Sequence, residues 1–367
     1  MKVLFLTQFS SLGGSSRIQV IQFLPILQER GVECTHKEMY PDSFYRIQMR
    51  IKKINKLNKK FNLIINLAWV FLKKIWFSLS AFRYDVVVIQ KDTFPVTLFA
   101  ILRFINPKIV YEIDDTIFEI NPFLNQGKIE EVLLKYQAKL CKNMMKKSAW
   151  VIAENDYLAN EAKKHNSHVS VLSAPIDNRI YIPKEKKEVD VVTIGWMGSP
   201  STTYMLEDIS EVFKELYGLN KNFRLKVVGA SSDFNIEGID LIKKDWSESE
   251  QLSDLQSFDI GLMPLDDSPF QRGRLGYKMI QYMSVGVPVV ASNVGLNPTV
   301  VRNGQNGFLV DNKQMWKDRL LQLIEDKDLR EEMGKTGLLD VEKNFSLQSK
   351  ANIYLGVFEN VSNTGKI

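Results

Sequence analysis

The stretch "FDIGLMPLDDSPFQRGRLGYKMIQYMSVGVPVVAS", residues 258–292, contains the pattern that decides the fold. Two apolar runs at its ends, "FDIGLMPL" (258–265) and "VPVVAS" (287–292), predict buried β-strands. Between them, Gly286 is expected to end a short helix in the left-handed conformation, and Pro288 cannot continue that helix. The apolar face of this helix comprises Met279, Ile280 and Met283. A strand, a helix and a second strand in this order predict a parallel βαβ unit.

The same alternation of apolar runs and helical patterns covers most of the chain. In the first half, the predicted strands are 2–7, 85–90, 108–114, 149–154 and 169–173, and helix-length segments cover Ile18 to Glu29 and Lys128 to Lys147. In the second half, the further predicted strands are 191–198, 223–230, 239–244 and 306–310. Strands separated by helices favour parallel sheets, so the predicted fold class is α/β, with two doubly wound parallel-sheet domains.

The predicted domain boundary lies in "APIDNRIYIPKEKKEVD", residues 174–190, which contains two prolines and a Lys/Glu run and has no apolar period. This composition is typical of a linker. We therefore place the first domain at 1–180 and the second at 181–345. A C-terminal helix of about residues 345–367 is expected to cross back to the first domain.

The composition is that of an ordinary globular protein, since 45% of the 367 residues are hydrophobic and 25% are charged. The formal net charge of +5 does not by itself indicate nucleic-acid binding, and no zinc-finger spacing or RNA-binding signature is present. Cys34 and Cys141, the only cysteines, lie in no CxxC motif. This argues against a disulfide framework or a structural zinc site and favours a reducing cytoplasm.

Residues 62–80, "NLIINLAWVFLKKIWFSLS", form the most membrane-like stretch, but a Lys-Lys pair interrupts it and leaves no uncharged run long enough to span a bilayer. Six lysines and arginines lie just upstream, between Arg50 and Lys60. Together, residues 50–80 predict an amphipathic region in peripheral contact with an anionic membrane, at the inner face of the cell membrane. The alternative is a solvated helix that packs on its own domain.

Ligands of doubly wound sheets bind beyond the carboxyl ends of the strands, so the loops after the strands are the candidate sites. After the first strand, Gly13 and Gly14 let the backbone approach a ligand, and the start of the following helix could bind an anion. A plain Gly-Gly turn is the alternative. Asp114 and Asp115 follow another strand and could bind sugar hydroxyls, a base proton or a metal. Their alternative role is a helix N-cap with a solvated neighbour.

Two loops of the second domain have the same setting. Gly198 and Ser199 lie between a strand and a helix that begins near Tyr204, where a diphosphate or an acceptor could bind; Ser/Thr capping is the alternative. Three cations surround the start of the helix predicted within 258–292: Arg272, Arg274 and Lys278. The helix dipole and the amides of the first turn favour an anion there. We interpret this loop as a diphosphate site, with a solvated surface loop as the alternative.

With these loops in place, the chain resembles the family 4 glycosyltransferases of the GT-B type over essentially its whole length. The resemblance rests on "GGSSRIQV" after the first strand, "YEIDD" late in the first domain, "WMGSPSTTYML" at the start of the second, and the block from Phe258 to Val310. It implies two Rossmann-like domains that face each other across a cleft. It also implies a nucleotide-sugar donor on the second domain, an acceptor on the first, and transfer with retention of configuration, with neither a metal nor a separate cofactor.

The implied activity is that of a hexosyltransferase-type enzyme that moves a sugar to a hydroxyl of a saccharide or lipid-linked acceptor, in cell-surface polysaccharide or glycolipid assembly. Nucleic acid is not an expected partner. Arg272 and Lys278 would stabilise the departing diphosphate, and Asp115 would contact the sugar or the acceptor. The implied donor-binding residues are Gly13, Gly14, Arg17, Gly198, Ser199, Arg274, Gly276, Tyr277, Gln281, Leu296, Asn297 and Thr299.

The sequence departs from the family pattern at two positions. Many members have two glutamates eight positions apart in this loop and helix, where this chain has Gly273 and Gln281. The basic loop "RGRLGYK" instead matches a pattern of one branch of the family. A neutral Gln281 would bind a ribose hydroxyl less strongly than a carboxylate. A catalytically inactive nucleotide-sugar-binding subunit and a GT-B sugar-nucleotide epimerase therefore remain as alternative functions.

Overall fold

A computed structural model of the chain describes residues 1–44, 56–119, 127–183, 191–273 and 276–363. The chain divides into two compact units, Met1–Pro175 with Leu347–Ile367, and Ile176–Ser346. Three sequence-based predictions fall partly or wholly outside the described residues: residues 184–190 of the linker, residues 50–55 of the basic stretch, and the donor-binding role of Arg274.

The first unit contains a six-stranded parallel sheet. Its strands are β1 (Lys2–Thr7), β2 (Glu33–Glu38), β3 (Val86–Gln90), β4 (Ile109–Ile113), β5 (Trp150–Ala153) and β6 (Val169–Val171), in the order β2-β1-β3-β4-β5-β6. Its α-helices are Gly14–Gln19, Leu24–Glu29, Lys56–Ser80, Val96–Ile105, Lys128–Lys147, Asp156–Lys163 and Leu347–Asn363. Apolar side chains from both faces of the central strands pack under these helices, which gives the sheet a core on each side.

Strand β2 was not predicted. Its sequence, "ECTHKE", contains no apolar run, and its residues are half-buried or exposed. The strand exists because it pairs in parallel with β1 along its whole length, from Lys2 opposite Glu33 to Thr7 opposite Glu38. Since β2 lies at the edge of the sheet, it does not need the apolar composition of a central strand.

The helix expected from Ile18 to Glu29 is wrong as a single element. The chain forms Gly14–Gln19, a 3₁₀ turn at Ile21–Phe23 and then Leu24–Glu29. Pro25 lies in the first turn of the last helix, where its missing N–H is tolerated. Inside one continuous helix the same proline would remove a backbone hydrogen bond, so the chain restarts the helix at this point. The helix predicted at Lys128 to Lys147 is confirmed.

The Leu347–Asn363 helix packs on the first unit through Tyr354. The Tyr354 ring contacts Phe5 and Phe23 edge to face, and its hydroxyl lies 3.1 Å from the Gln19 carbonyl oxygen and 3.3 Å from Glu112 Oε2. Burial, reinforced by nearby Asp114, raises the pKa of Glu112 well above its ordinary value. The helix is therefore joined to the sheet by a buried polar contact within an aromatic cluster.

The second unit also contains a six-stranded parallel sheet. Its strands are β7 (Val192–Met197), β8 (Phe223–Val228), β9 (Leu241–Lys244), β10 (Ile260–Met263), β11 (Val289–Ser292) and β12 (Gly307–Val310), in the order β12-β11-β10-β7-β8-β9. Its α-helices are Tyr204–Glu207, Ser210–Leu219, Gln251–Gln256, Pro269–Arg272, Tyr277–Ser284, Asn297–Val300, Lys313–Glu325 and Lys327–Asn344. Both predicted parallel sheets are thus confirmed.

The first residues of the predicted linker are packed, and the division between the two units falls at its start, between Pro175 and Ile176. Ile176 is fully buried in a core of the second unit and pairs with Ser346 through an isolated parallel bridge. Asp177, 7% exposed, accepts three hydrogen bonds from the backbone and guanidinium of Arg179. The sequence pattern did not predict this packing, because isolated side chains such as Ile176 enter the core and no apolar periodicity results.

Each sheet has a point at which the strand order reverses. In the first unit it lies between β1 and β3, and in the second between β7 and β10. Loops that leave two neighbouring strands in opposite directions open a crevice at such a point, and ligands of α/β sheets bind there. Among the described residues, none of the helices combines the length and apolar character needed to cross a membrane.

Gly195, in the centre of β7, provides a test of how closely the second core is packed. A Cβ at Gly195 would lie 2.0 Å from Cγ of Phe258, whereas one at Gly218 would meet no atom within 4 Å. We expect Gly195→Ala to lower the free energy of unfolding by about 1–3 kcal/mol through overpacking. Gly218→Ala, in the Ser210–Leu219 helix, should raise it by up to about 1 kcal/mol. Urea unfolding of both variants measures this, and equal midpoints would contradict the packing described.

Candidate functional site

The Tyr277–Ser284 helix begins at the carboxyl end of the second sheet without a capping side chain. Its N-cap is Gly276, no side chain caps its first turn, and that turn contains no acidic residue. Instead, Lys278 places a cation at the positive end of the helix dipole, where an anion is the favourable charge. A cation there is consistent with a bound anion that both the helix start and the ammonium group would contact.

Lys278 lies over a buried aromatic ring. Its Nζ is 4.6 Å from the centroid of the Trp196 ring, and Trp196 is 1% exposed. This cation–π contact orients the ammonium group at the end of β7. Gly198 is required beside it, because a Cβ at this position would lie 2.1 Å from the Trp196 ring. The predicted residues Gly198 and Lys278 are therefore brought together on one aromatic side chain.

Arg272, the other predicted catalytic cation, is bound to a carboxylate. Its Nε and one terminal nitrogen donate to Asp267 at 2.7 and 2.9 Å, in the bidentate geometry typical of guanidinium–carboxylate pairs. These hydrogen bonds lower the pKa of Asp267. Half of the Arg272 side chain is exposed, so part of its charge is offset by Asp267 and part faces solvent.

The three predicted donor loops of the second unit meet at the carboxyl end of its sheet. The Tyr204 hydroxyl donates to Asp266 at 2.8 Å and accepts from the Gln271 amide at 3.2 Å, which joins the loop after β7 to the loop after β10. Gly295, with φ +58°, joins the loop after β11 to the same place. A Cβ at Gly295 would lie 2.9 Å from Cα of Arg272, so only glycine allows this backbone approach.

The predicted nucleoside-end residues have different environments. Leu296 is 8% exposed, Asn297 is fully buried, and Thr299 is exposed with its hydroxyl donating to the Leu296 carbonyl at 2.7 Å. Asn297 donates to the Ser292 carbonyl at 2.9 Å. A Cβ at Gly276 would lie 3.0 Å from Oδ1 of Asn297, so Asn297 lies close to the start of the Tyr277–Ser284 helix.

Gln281 belongs to a neutral hydrogen-bonded group. Its side-chain amide donates to the Tyr181 hydroxyl at 3.4 Å, and the same hydroxyl accepts from Gln251 at 2.6 Å. Gln281 is 8% exposed. Ser199 is held in a capping box with Thr202 at the start of the loop after β7, which satisfies the amides of that turn.

A cavity of about 400 Å³ lies at the carboxyl ends of β10, β11 and β12. Its lining includes Pro264, Asp267, Ser292, Asn293, Asp311 and Trp316. This volume is within the range of small-molecule sites. Asp267 lines the cavity and also pairs with Arg272. The cavity therefore borders the predicted donor loop after β10.

In the first unit, the predicted glycine loop lies beside β3. Gly13 is the N-cap of the Gly14–Gln19 helix, and a Cβ on it would lie 2.8 Å from Cβ of Phe9. At Gly14 the same substitution would meet nothing within 4 Å, so Gly14 leaves open space. Arg17 donates to the Ser11 carbonyl at 2.8 Å, across the loop.

A buried glutamine joins this loop to the predicted aspartates. The Gln90 amide donates to Ser15 Oγ at 2.9 Å and to Asp114 Oδ2 at 3.2 Å, while its oxygen accepts from Ser16 Oγ at 3.2 Å. Gln90 is fully buried at the end of β3. The switch point between β1 and β3 is therefore built around one amide whose hydrogen-bonding groups are all occupied.

Lys91 is the residue that the sequence-based predictions missed. Its ammonium lies 2.6 Å from Asp115 Oδ2 and 3.5 Å from Asp114 Oδ1. Burial raises the pKa of Asp114, and the Lys91 charge acts in the opposite direction. Lys91 also has φ +61° and is, among the described residues, the one non-glycine residue with a positive φ. Such backbone strain persists at functional sites, where surrounding contacts hold it.

The signal that could have identified Lys91 is its place in "DVVVIQKDT", where Gln90 and Lys91 are the first polar residues after a buried strand. The structure also shows which side chains lie near Asp114 and Asp115. Their cationic neighbour is Lys91, and no three His, Cys, Asp or Glu side chains of the described residues lie close enough together to hold a metal ion.

Comparison with known proteins agrees with this architecture. The family model for glycosyl transferases group 1 matches residues 177–339, which lie in the second unit. A glycosyltransferase from Rickettsia africae ESF-5 superposes with a TM-score of 0.71 at 14% identity, covering 98% of both chains. HepE of Anabaena, solved with UDP-glucose, gives 0.67 at 15% identity, covering 100% of this chain and 99% of that one. The predicted GT-B fold is confirmed.

Sequence relatives match over shorter stretches. The capsular polysaccharide biosynthesis glycosyltransferase CapM of Staphylococcus aureus is 29% identical over 167 residues, which is 43% of either chain. The matched regions span less than half the length of the curated relatives.

The strain at Lys91 can be measured with two variants that both lack the ammonium group. We expect Lys91→Gly to have a free energy of unfolding about 1–2 kcal/mol higher than Lys91→Ala, because only glycine adopts a positive φ without cost. The loss of the ion pairs with Asp114 and Asp115 is common to both variants and cancels in the comparison. Urea unfolding gives the difference, and an Ala variant at least as stable as the Gly variant would show that the backbone is not strained.

Proposed function

We propose that this chain is a glycosyltransferase that moves a sugar from a nucleoside-diphosphate sugar to a hydroxyl acceptor. The observation that carries the proposal is Lys278, a cation held over Trp196 at a helix start without a capping side chain, inside the region that matches glycosyl transferases group 1. A nucleoside diphosphate is the leaving group that needs positive charge at this place.

In the proposed donor site, Lys278 and the amides of Gly276 and Tyr277 bind the diphosphate. Negative charge develops on the diphosphate as its bond to the sugar breaks, and a preorganised cation stabilises that charge more than it stabilises the bound donor. Arg272 would add to this charge stabilisation when its ion pair with Asp267 opens. The Gln281 amide, which also contacts the Tyr181 hydroxyl, would hydrogen-bond a ribose hydroxyl.

The proposed chemistry is retention of configuration without a metal. The acceptor hydroxyl attacks the anomeric carbon from the face that the diphosphate leaves, and a diphosphate oxygen takes the hydroxyl proton. The bond between the anomeric carbon and the diphosphate oxygen breaks as the new glycosidic bond forms. Lys278 and Arg272 provide the neutralisation that a metal would otherwise supply. No cofactor beyond the donor is required by this scheme.

We place the sugar or acceptor contact of the first unit at Asp115, with Lys91 as its partner. Lys91 holds a carboxylate oxygen of Asp115 at 2.6 Å, and Gly14 leaves open space in the adjacent loop. An ionised carboxylate accepts hydrogen bonds from sugar hydroxyls. The acceptor class we propose is a saccharide or lipid-linked saccharide of the cell surface, which is supported by the likeness to CapM.

A second candidate function is a non-catalytic nucleotide-sugar-binding subunit. It is favoured by the neutral residues Gly273 and Gln281, which stand where many relatives have glutamates. In that case the donor would bind the second unit without turnover. Binding and turnover assays together separate the two functions.

The donor class is tested by thermal unfolding in the presence of UDP, GDP, ADP and CMP sugars. A ligand that binds only the folded state raises the melting temperature by mass action, so the cognate nucleotide should give a larger shift than the other three. Free inorganic phosphate is the control for a non-specific anion effect. If none of these nucleotide sugars raises the melting temperature, the proposed donor site is refuted.

The role of Lys278 is tested by Lys278→Ala. We expect kcat/KM for sugar transfer to fall by about 100-fold or more, since removal of one preorganised charge from a transition state has effects of that size. Lys335→Ala, an exposed lysine on the Lys327–Asn344 helix, is the matched control and should transfer sugar at the wild-type rate. Comparable activity of the two variants would refute the electrostatic mechanism.

A further inference from the structure

The Lys56–Ser80 helix of the first unit has an apolar stripe on its solvent face. Four large side chains recur at spacings that place them on one side of the helix: Trp69, Leu72, Trp76 and Leu79. They are 53, 57, 64 and 52% exposed. The opposite side of the helix, with Val70 and Phe77, is buried in the unit. The helix therefore has two apolar sides, one that packs the core and one that is exposed to solvent.

Further large apolar side chains are exposed on the neighbouring segments. Phe82, in the 3₁₀ turn that follows the helix, is 67% exposed. The adjacent Val96–Ile105 helix packs into the same core through Leu98 and Leu102 and exposes Phe104 at 91%. We call the exposed set the apolar face; its members are Trp69, Leu72, Trp76, Leu79, Phe82, Val96, Ile101 and Phe104.

The charged residues of the two helices that contribute to the apolar face have one sign. Neither the Lys56–Ser80 helix nor the Val96–Ile105 helix contains an aspartate or glutamate. Exposed Arg83 lies beside Phe82, with its guanidinium 5.4 Å from the ring centroid, and Arg103 follows in the second helix. Apolar and aromatic side chains on helices whose charged residues are all basic match a surface that is apolar inside and anionic outside.

We propose that the apolar face rests on an anionic lipid bilayer, with the tryptophan and phenylalanine side chains inserted at the level of the headgroups. Tryptophan is favoured at this depth because its ring is apolar while its N–H remains hydrated. The arginines would contact the lipid phosphates. This surface belongs to the first unit and the donor loops belong to the second, so the proposal goes beyond the proposed function and does not depend on it.

The experiment is co-sedimentation of the full chain with vesicles of phosphatidylcholine alone and of phosphatidylcholine with phosphatidylglycerol, without any nucleotide sugar. We expect binding to the anionic vesicles, weak binding to the neutral ones, and a blue shift of tryptophan emission on binding. In the double variant Trp76→Ser with Phe104→Ser, vesicle affinity should fall at least about tenfold, because two large apolar side chains no longer leave water. Their exposure in the wild type means that the fold should be retained, which the melting temperature checks.

The matched control is Leu219→Ser with Leu339→Ser, two leucines of the second unit that are each 65% exposed. This variant should bind anionic vesicles like the wild type. The proposal is overturned if the wild type binds neither vesicle, or if both double variants bind equally well. It is also overturned if light scattering detects a dimer that the Trp76→Ser, Phe104→Ser variant abolishes, since the apolar face would then belong to a second copy of the chain.

Discussion

A buried hydrogen bond between the Tyr282 hydroxyl and the Met197 amide, 2.9 Å long, fixes the helix on which the proposed donor site depends. It ties the Tyr277–Ser284 helix to the end of β7. The Tyr282 ring lies against Gly261 of β10, where a Cβ would come within 2.5 Å of the ring. Because Tyr282 holds the helix to both strands of the switch point, it contributes to the positions of Gly276, Lys278 and Gln281.

Both units hold a lysine in a place that is unfavourable without a partner. Lys278 carries positive charge at the positive end of a helix, and Lys91 has a left-handed backbone at the end of β3. Trp196 supports the first, and Asp114 with Asp115 supports the second. Since local sequence preference opposes both positions, the surrounding tertiary contacts must supply the stabilisation.

The second unit differs in charge from what the family resemblance implies. The position of one expected glutamate is held by Gln281, within a neutral group that includes Tyr181 and Gln251. Arg272 is matched by Asp267 only five residues away. Among the described residues of the proposed donor site, Lys278 is therefore the main cation for a diphosphate. In the proposed site, the phosphates would be bound by charge and the ribose by neutral hydrogen bonds, which are weaker.

Much of the fold could be predicted from the sequence, because central parallel strands are buried on both faces and appear as continuous apolar runs. Within the part of the chain that the structure describes, eleven of the twelve strands and the Lys128–Lys147 helix follow from such runs and periods. The left-handed Gly286 at the end of the Tyr277–Ser284 helix was also predicted and has φ +74°. The edge strand β2 was not predicted, since pairing with β1 decides it. The break near Pro25 was also not predicted, although the proline itself accounts for it.

The sequence by itself determined which loops follow the strands, and hence that the loops around Asp115, Gly198 and Lys278 lie at the carboxyl ends of the sheets. Only the tertiary structure decided the partners of these side chains. Lys91 meets Asp115 from 24 positions away, and Lys278 meets Trp196 across the end of a strand. Strand order and register create such contacts, and a local pattern contains information on neither, because each depends on pairing between segments distant in the chain.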